Sequence, residues 1–277
     1  MEAREKELPL HRRCRSTLLT HGRRVEKAVV YFHGFTSCPA QGGLFARRFH
    51  DLGFNVYLPR MFGHCGLNPR RLSMAEFSVD KLIDLANESV DIAAGLGQQV
   101  LVVGLSAGGT IASWVAQNRP DVRQVIGISP FFAPFMLPQQ AVKAASELLL
   151  KMPNLVIGWN PLANVAAEQI DYPFALPATH ALAQIMVLGQ HVRAAAKQDA
   201  PRACSIGFLL NAADRSVSNK VTHTLVESWQ AHGKDVGIEV LPLEHRLPHD
   251  IINPFERGND FERVYVTLLE MILRASS

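Results

Sequence analysis

The chain has 277 residues, 48% of them hydrophobic, 19% charged and 8% aromatic, a composition that excludes a disordered protein and supplies enough apolar surface for a large core. Lys plus Arg number 28 against 25 Asp plus Glu, and residues 1–27 hold eight of the basic and four of the acidic side chains, so a positive N-terminal segment precedes a nearly neutral body. No basic stripe to neutralise a phosphate backbone, no apolar run of roughly 18 residues and no apolar leader stretch are visible, so the expectations are no nucleic-acid partner, no transmembrane segment and a cytoplasmic location.

Four cysteines, Cys14, Cys38, Cys65 and Cys204, are too far apart for a Cys-x-x-Cys pair and are expected as reduced thiols. Short apolar runs alternate with amphipathic stretches, which predicts an α/β fold: a mostly parallel sheet with helices on both faces. Residues 28–32 (AVVYF) and 55–58 read as strands buried on both sides. Ser73-x-x-Glu76 reads as a capping box opening a helix whose Leu82, Leu85, Ala86, Val90 and Ala93 share one face. Residues 100–105 (VLVVGL) form the most apolar strand, and a helix is expected over 110–117.

Between that strand and that helix stands Gly104-Leu105-Ser106-Ala107-Gly108. A serine on a tight strand-to-helix turn needs small neighbours, and Gly104, Gly108 and Gly109 supply them. The turn would lift the Ser106 hydroxyl to a helix N-terminus, where amides and the helix dipole favour negative charge. Ser106 is therefore the candidate nucleophile.

After a strand at 125–128 comes an insertion, residues 131–202, holding seven of the sixteen prolines and only nine charged residues. It is expected as a structured, apolar cap rather than a solvated linker, so the sheet-bearing core is 1–130 and 203–277. Emerging at the carboxyl edge of a parallel sheet, it offers Phe131, Phe135 and Trp159 as candidate substrate-binding residues, although each could equally serve internal packing.

A serine needs a base, and the base an orienting carboxylate. Asp214, closing the strand that starts at Ser205, fits the carboxylate; Asp235 reads as a turn residue. Val217, Val221, Leu225 and Trp229 at four-residue steps predict a helix. Two histidines follow the last strand (237–243): His249, in a proline-containing apolar loop, is favoured as base, with His245 as the alternative. Backbone N–H groups of Phe35, after His33-Gly34, and of Ala107 are the expected oxyanion donors. Asn259-x-x-Glu262 reads as the cap of a final helix with Phe261, Val264, Leu268 and Ile272 inward.

These pieces, His33-Gly-Phe-Thr, Tyr57-Leu-Pro-Arg-Met-Phe-Gly-His, Gly104-Leu-Ser-Ala-Gly-Gly, Asp214-Arg-Ser-Val-Ser and Pro248-His-Asp, together resemble the α/β-hydrolase superfamily, and within it bacterial carboxylesterases and monoacylglycerol-lipase-like enzymes. The resemblance implies an α/β-hydrolase fold with an inserted helical cap, a Ser106-His249-Asp214 triad, an oxyanion hole at Phe35 and Ala107, and an acyl-enzyme route for carboxylic esters with an apolar acyl or aryl group. It implies no metal and no organic cofactor. Cys65 stands where relatives carry the last glycine of Gly-His-Gly, and the Gly-rich loops of the hormone-sensitive-lipase branch and of the serine aminopeptidases are missing. A thioesterase, a carbon–carbon bond hydrolase, a serine peptidase and a non-catalytic binding protein are the alternatives.

Overall fold

The protein is represented by a computed structural model that describes residues 5–64, 74, 77–156 and 177–274. Among the described residues the strands are β1 (Thr17–Leu19), β2 (Val25–Phe32), β3 (Asn55–Leu58), β4 (Gly97–Leu105), β5 (Gln124–Ile128), β6 (Ser205–Asn211) and β7 (Val236–Leu241). The helices are α1 (Gly43–Asp51), α2 (Val79–Leu96), α3 (Ala107–Asn118), α4 (Val142–Lys151), α5 (Thr179–Ala196), α6 (Asn219–Ala231) and α7 (Phe261–Arg274). The strands form one sheet in the order β1-β3-β2-β4-β5-β6-β7. β1 pairs antiparallel with β3, and the other neighbours pair in parallel.

The two-residue period of a strand divides the core into two layers. In β2, Ala28, Val30 and Phe32 join the layer under α2, α3, α5 and α6, together with Leu82, Ile111, Ile185 and Trp229. Val29 and Tyr31 face the other way, onto Phe45 and Phe49 of α1 and Leu268 and Ile272 of α7. Burying each such large side chain contributes roughly 1.5–3 kcal/mol. Register then sets the site: Phe32 lies beside Gly104, Leu105 beside Ile128 and Ile128 beside Leu209, so β2, β4, β5 and β6 end together at one edge.

Several local expectations shift. Helix α2 is capped by Ser78, whose Oγ accepts from the Lys81 N–H at 3.3 Å; the expected box at Ser73 and Glu76 lies outside the described residues. Val217 is buried ahead of α6 rather than in it. At α7 the capping side chain is Asp260, whose Oδ1 accepts from the Arg263 N–H at 3.2 Å. Asn259 instead turns back and donates to the carbonyls of Ile251 and Asn253 at 3.1 and 2.7 Å. β1 has no counterpart in the sequence reading, because three residues at an exposed edge carry too little pattern. The basic N-terminal segment is tied to the body from residue 5 onward: buried Glu5 accepts from the Ser16 N–H at 2.9 Å and pairs with Arg60 Nε at 3.1 Å.

Within 131–202, α5 is one of the helices covering the sheet. Its Ile185, Leu188 and Val192 pack in one cluster with Ile111, Ala112 and Val115 of α3. α4 rests on α5, where Gln190 Nε2 donates to Ser146 Oγ at 2.9 Å.

Candidate active site

Ser106 follows β4 and precedes α3 with φ +57° and ψ −115°, a conformation that costs a non-glycine residue about 1–3 kcal/mol. Neighbours hold it there. Its N–H donates to the Ile128 carbonyl at 2.9 Å, and its own carbonyl accepts from the Phe131 and Thr110 N–H groups, both at 3.0 Å. Such a turn forces strand and helix together: a Cβ on Gly108 would stand 2.0 Å from the Phe32 carbonyl oxygen, and one on Gly104 2.1 Å from that of Gly108.

Asp214 lies just past β6 with its side chain wholly buried. One carboxylate oxygen accepts from the Ser216 and Val217 N–H groups at 2.7 and 3.2 Å; the other lies 2.6 Å from His249 Nδ1. Burial pushes this carboxyl up, but the His249 bond and the two amides outweigh it and hold Asp214 below the usual carboxylate range. An ionised Asp214 can only accept, so Nδ1 carries the proton and the imidazole lone pair is left on Nε2. Asn211, a fully buried residue, props the histidine loop by donating from Nδ2 to the Leu247 and Pro248 carbonyls at 3.0 and 2.9 Å.

The alternative residues lie elsewhere. His245 Nε2 meets Arg263 Nη1 of α7 at 3.0 Å, and Asp235 is exposed ahead of β7, at the opposite edge of the sheet.

The loop after β2 is held by the side chains of His33, His64 and Gln41. His33 Nε2 accepts from the Met61 N–H at 3.1 Å, and its Nδ1 meets the Gly34 carbonyl at 2.8 Å. His64 Nε2 accepts from the Thr36 N–H at 3.1 Å, and its Nδ1 meets the Phe62 carbonyl at 3.0 Å. Both imidazoles therefore need to be neutral, with the proton on Nδ1. Burial drives the His33 pKa well below its ordinary value, with His64 adding to the effect, and lowers that of His64 to about 4. Gln41, also buried, accepts at Oε1 from the Gly34 N–H at 2.8 Å. The amides of Gly34 and Thr36 are thus pinned on either side of Phe35. Gly34 itself borders the serine, since a Cβ there would stand 3.7 Å from Ser106 Cβ.

Phe131 touches Ser106 through its backbone, and its side chain packs into the core. Phe135 is partly exposed, with the Arg215 guanidinium 4.9 Å from its ring centre. Trp159 lies outside the described residues. Among the described residues, no cluster of three or more metal-ligating side chains occurs, and no helix is long and apolar enough to cross a membrane.

Residues 23–242 match the family model described as serine aminopeptidase, S33. The chain belongs to this family of α/β-hydrolases. This S33 hydrolase is also 30% identical over 101 residues to the thermostable monoacylglycerol lipase of Bacillus sp. (strain H-257), a stretch covering 36% of the chain but only 39% of that lipase. Solved structures share the fold over nearly the whole length. A structure from work on LipS and LipT, two metagenome-derived lipolytic enzymes, matches with a TM-score of 0.71 at 18% identity, covering 96% of this chain and 99% of that one. The monoacylglycerol lipase of Paleococcus ferrophilus gives 0.68 at 19% identity, covering 94% and 98%. The monoglyceride lipase of Saccharomyces cerevisiae gives 0.71 at 14% identity, covering 94% and 90%.

Proposed function

We propose that this S33 hydrolase cleaves carboxylic esters through Ser106, His249 and Asp214. The observation that carries the reading is the 2.6 Å contact between His249 Nδ1 and the buried Asp214 carboxylate, formed at the sheet edge where the strained Ser106 turn also ends. In this mechanism His249 Nε2 takes the proton from Ser106 Oγ as the oxygen attacks the ester carbonyl. The Phe35 and Ala107 N–H groups hold the developing oxyanion, and Asp214 stabilises the imidazolium. Collapse of the tetrahedral adduct breaks the ester C–O bond, and the imidazolium gives its proton to the leaving alkoxide. Water, deprotonated by the same imidazole, then releases the acid and restores Ser106.

Esters with an apolar acyl group fit best. Phe135, Met136, Leu148, Met152, Leu155 and Val156 all leave apolar surface exposed within the insertion, and the relatives named above are lipases. Within the described residues of the insertion we assign the lid to 131–156, with Phe131 and Phe135 at its base, because α5 itself is committed to the core. The family description favours peptide hydrolysis as the second reading.

Ser106→Ala is expected to fold and to lose ester hydrolysis by about a thousandfold or more. Mass spectrometry after fluorophosphonate treatment is expected to find the adduct on Ser106, and a panel of ester, thioester and aminoacyl-peptide substrates to show the highest kcat/KM on esters. Labelling at another serine overturns the mechanism; preferred cleavage of peptides overturns the substrate class.

A further inference from the structure

Gln41 is nearly inaccessible, and its amide joins β2 and the loop after it to the loop that carries His249. Its Oε1 accepts from the Gly34 N–H at 2.8 Å and from the Tyr31 hydroxyl at 3.0 Å. Its Nε2 donates to Asp250 Oδ2 at 2.9 Å, across 209 residues of sequence. Gly34 leads into the Phe35 amide, and Asp250 follows His249. We propose that Gln41 and Asp250 are positioning residues for the reaction, a part-buried amide–carboxylate clamp that couples the oxyanion loop to the histidine loop.

The inference rests on the serine-hydrolase reading above and extends it to residues outside the triad. Polarity fixes the arrangement uniquely. The Gly34 N–H can only donate and so requires the amide oxygen on its side, which turns the amide nitrogen toward Asp250. That nitrogen requires Oδ2 to be an acceptor, which an ionised carboxylate provides. Asp250 Oδ1 in turn accepts from the Asn253 N–H at 3.3 Å. The charged or titratable groups facing Asp250 are His249 and Glu256. Burial pushes the Asp250 carboxyl up while the Gln41 amide works most strongly against that shift; Glu256 is raised by burial and by the charge of Asp250. A neutral side chain at position 41 that donates toward Asp250 is thus matched to its surroundings, whereas a second carboxylate is not.

Gln41→Glu keeps the size and the acceptor toward Gly34. With one proton shared between the introduced carboxyl and Asp250, the bond survives. Once that proton is lost, two carboxylates face each other across a hydrogen-bond distance and the loops are driven apart. The variant is therefore expected to approach wild-type kcat near pH 6 and to lose at least about tenfold in kcat by pH 8.5, with a smaller change in KM, the size of effect that mispairing one buried polar group produces. Adding Asp250→Asn reverses the polarity, because the introduced amide then donates to the introduced carboxylate, and the alkaline loss is expected to disappear.

The experiment measures kcat and KM from pH 5.5 to 9 for the wild type, Gln41→Glu and the double variant, with fluorophosphonate labelling rates at Ser106 as a second readout and thermal unfolding at each pH. A single variant with the wild-type pH profile overturns the clamp, as does a double variant that stays inactive at alkaline pH or does not fold. If the single variant unfolds at alkaline pH while the double variant is folded and active, the clamp stands. Failure of the wild type itself to label at Ser106 instead overturns the serine-hydrolase reading beneath it.

Discussion

His64 ties the acid stability of the protein to the loop that carries Phe35. Its pKa falls from 6.5 to about 4 through burial, whereas in the unfolded chain it returns to the ordinary value. Between those two values the unfolded state binds more protons than the native one, so lowering pH favours unfolding. This contribution is absent above about pH 7 and grows as pH drops through 6.5 toward 4. At 1.36 kcal/mol per unit, moving from pH 7 to pH 5 costs about 2 kcal/mol from His64 alone. His33 acts in the same direction. The test compares the wild type with His64→Gln, whose amide oxygen can still accept from the Thr36 N–H but cannot titrate. Denaturant unfolding at pH 7 and pH 5, extrapolated to water, is expected to show the variant losing about 2 kcal/mol less than the wild type between the two values. Equal losses would refute the reasoning, since removing His64 also relieves the lowering of the neighbouring His33, a change in the same direction.

Two further outcomes follow from the packing around the site. Gly108→Ala places a methyl group 2.0 Å from the Phe32 carbonyl oxygen and is expected to destabilise by about 3 kcal/mol or more in equilibrium denaturation; Gly237→Ala, where no atom lies within 4 Å, serves as the control and should cost under about 1 kcal/mol. Asn211→Ala removes both donors that prop the His249 loop, and it should lower kcat on an ester substrate by about tenfold with little change in KM; unchanged kcat would mean that the loop holds itself.

The layers of the fold were legible because they repeat. A two-residue period in the strands and four-residue steps in the helices carry the same message many times over, so small errors at Val217 or Asn259 leave the architecture intact. Asp214 was legible by its place just past an apolar strand, and His249 by its proline-containing apolar loop, since order alone leaves His245 equally eligible; the structure brings Asp214 and His249 into contact. Gln41, His64 and Asn211 resisted reading for a physical reason. Each is a single polar residue satisfied by backbone groups or by a partner far along the chain, and such bonds leave no period and no local spacing. Asn211 offered one clue, an amide ending an otherwise apolar strand. Gln41 offered none, because its partner Asp250 is distant in sequence and its value lies in which atom faces which donor.

The twisted backbone at Ser106 bears on how this protein responds to laboratory selection. Glycine relieves much of the cost of a positive φ, so Ser106→Gly is expected to raise the unfolding free energy by up to about 1–2 kcal/mol while deleting the hydroxyl. A screen that rewards heat tolerance alone therefore favours losing the proposed nucleophile, and thermostable variants obtained without a turnover assay would accumulate as folded, silent proteins.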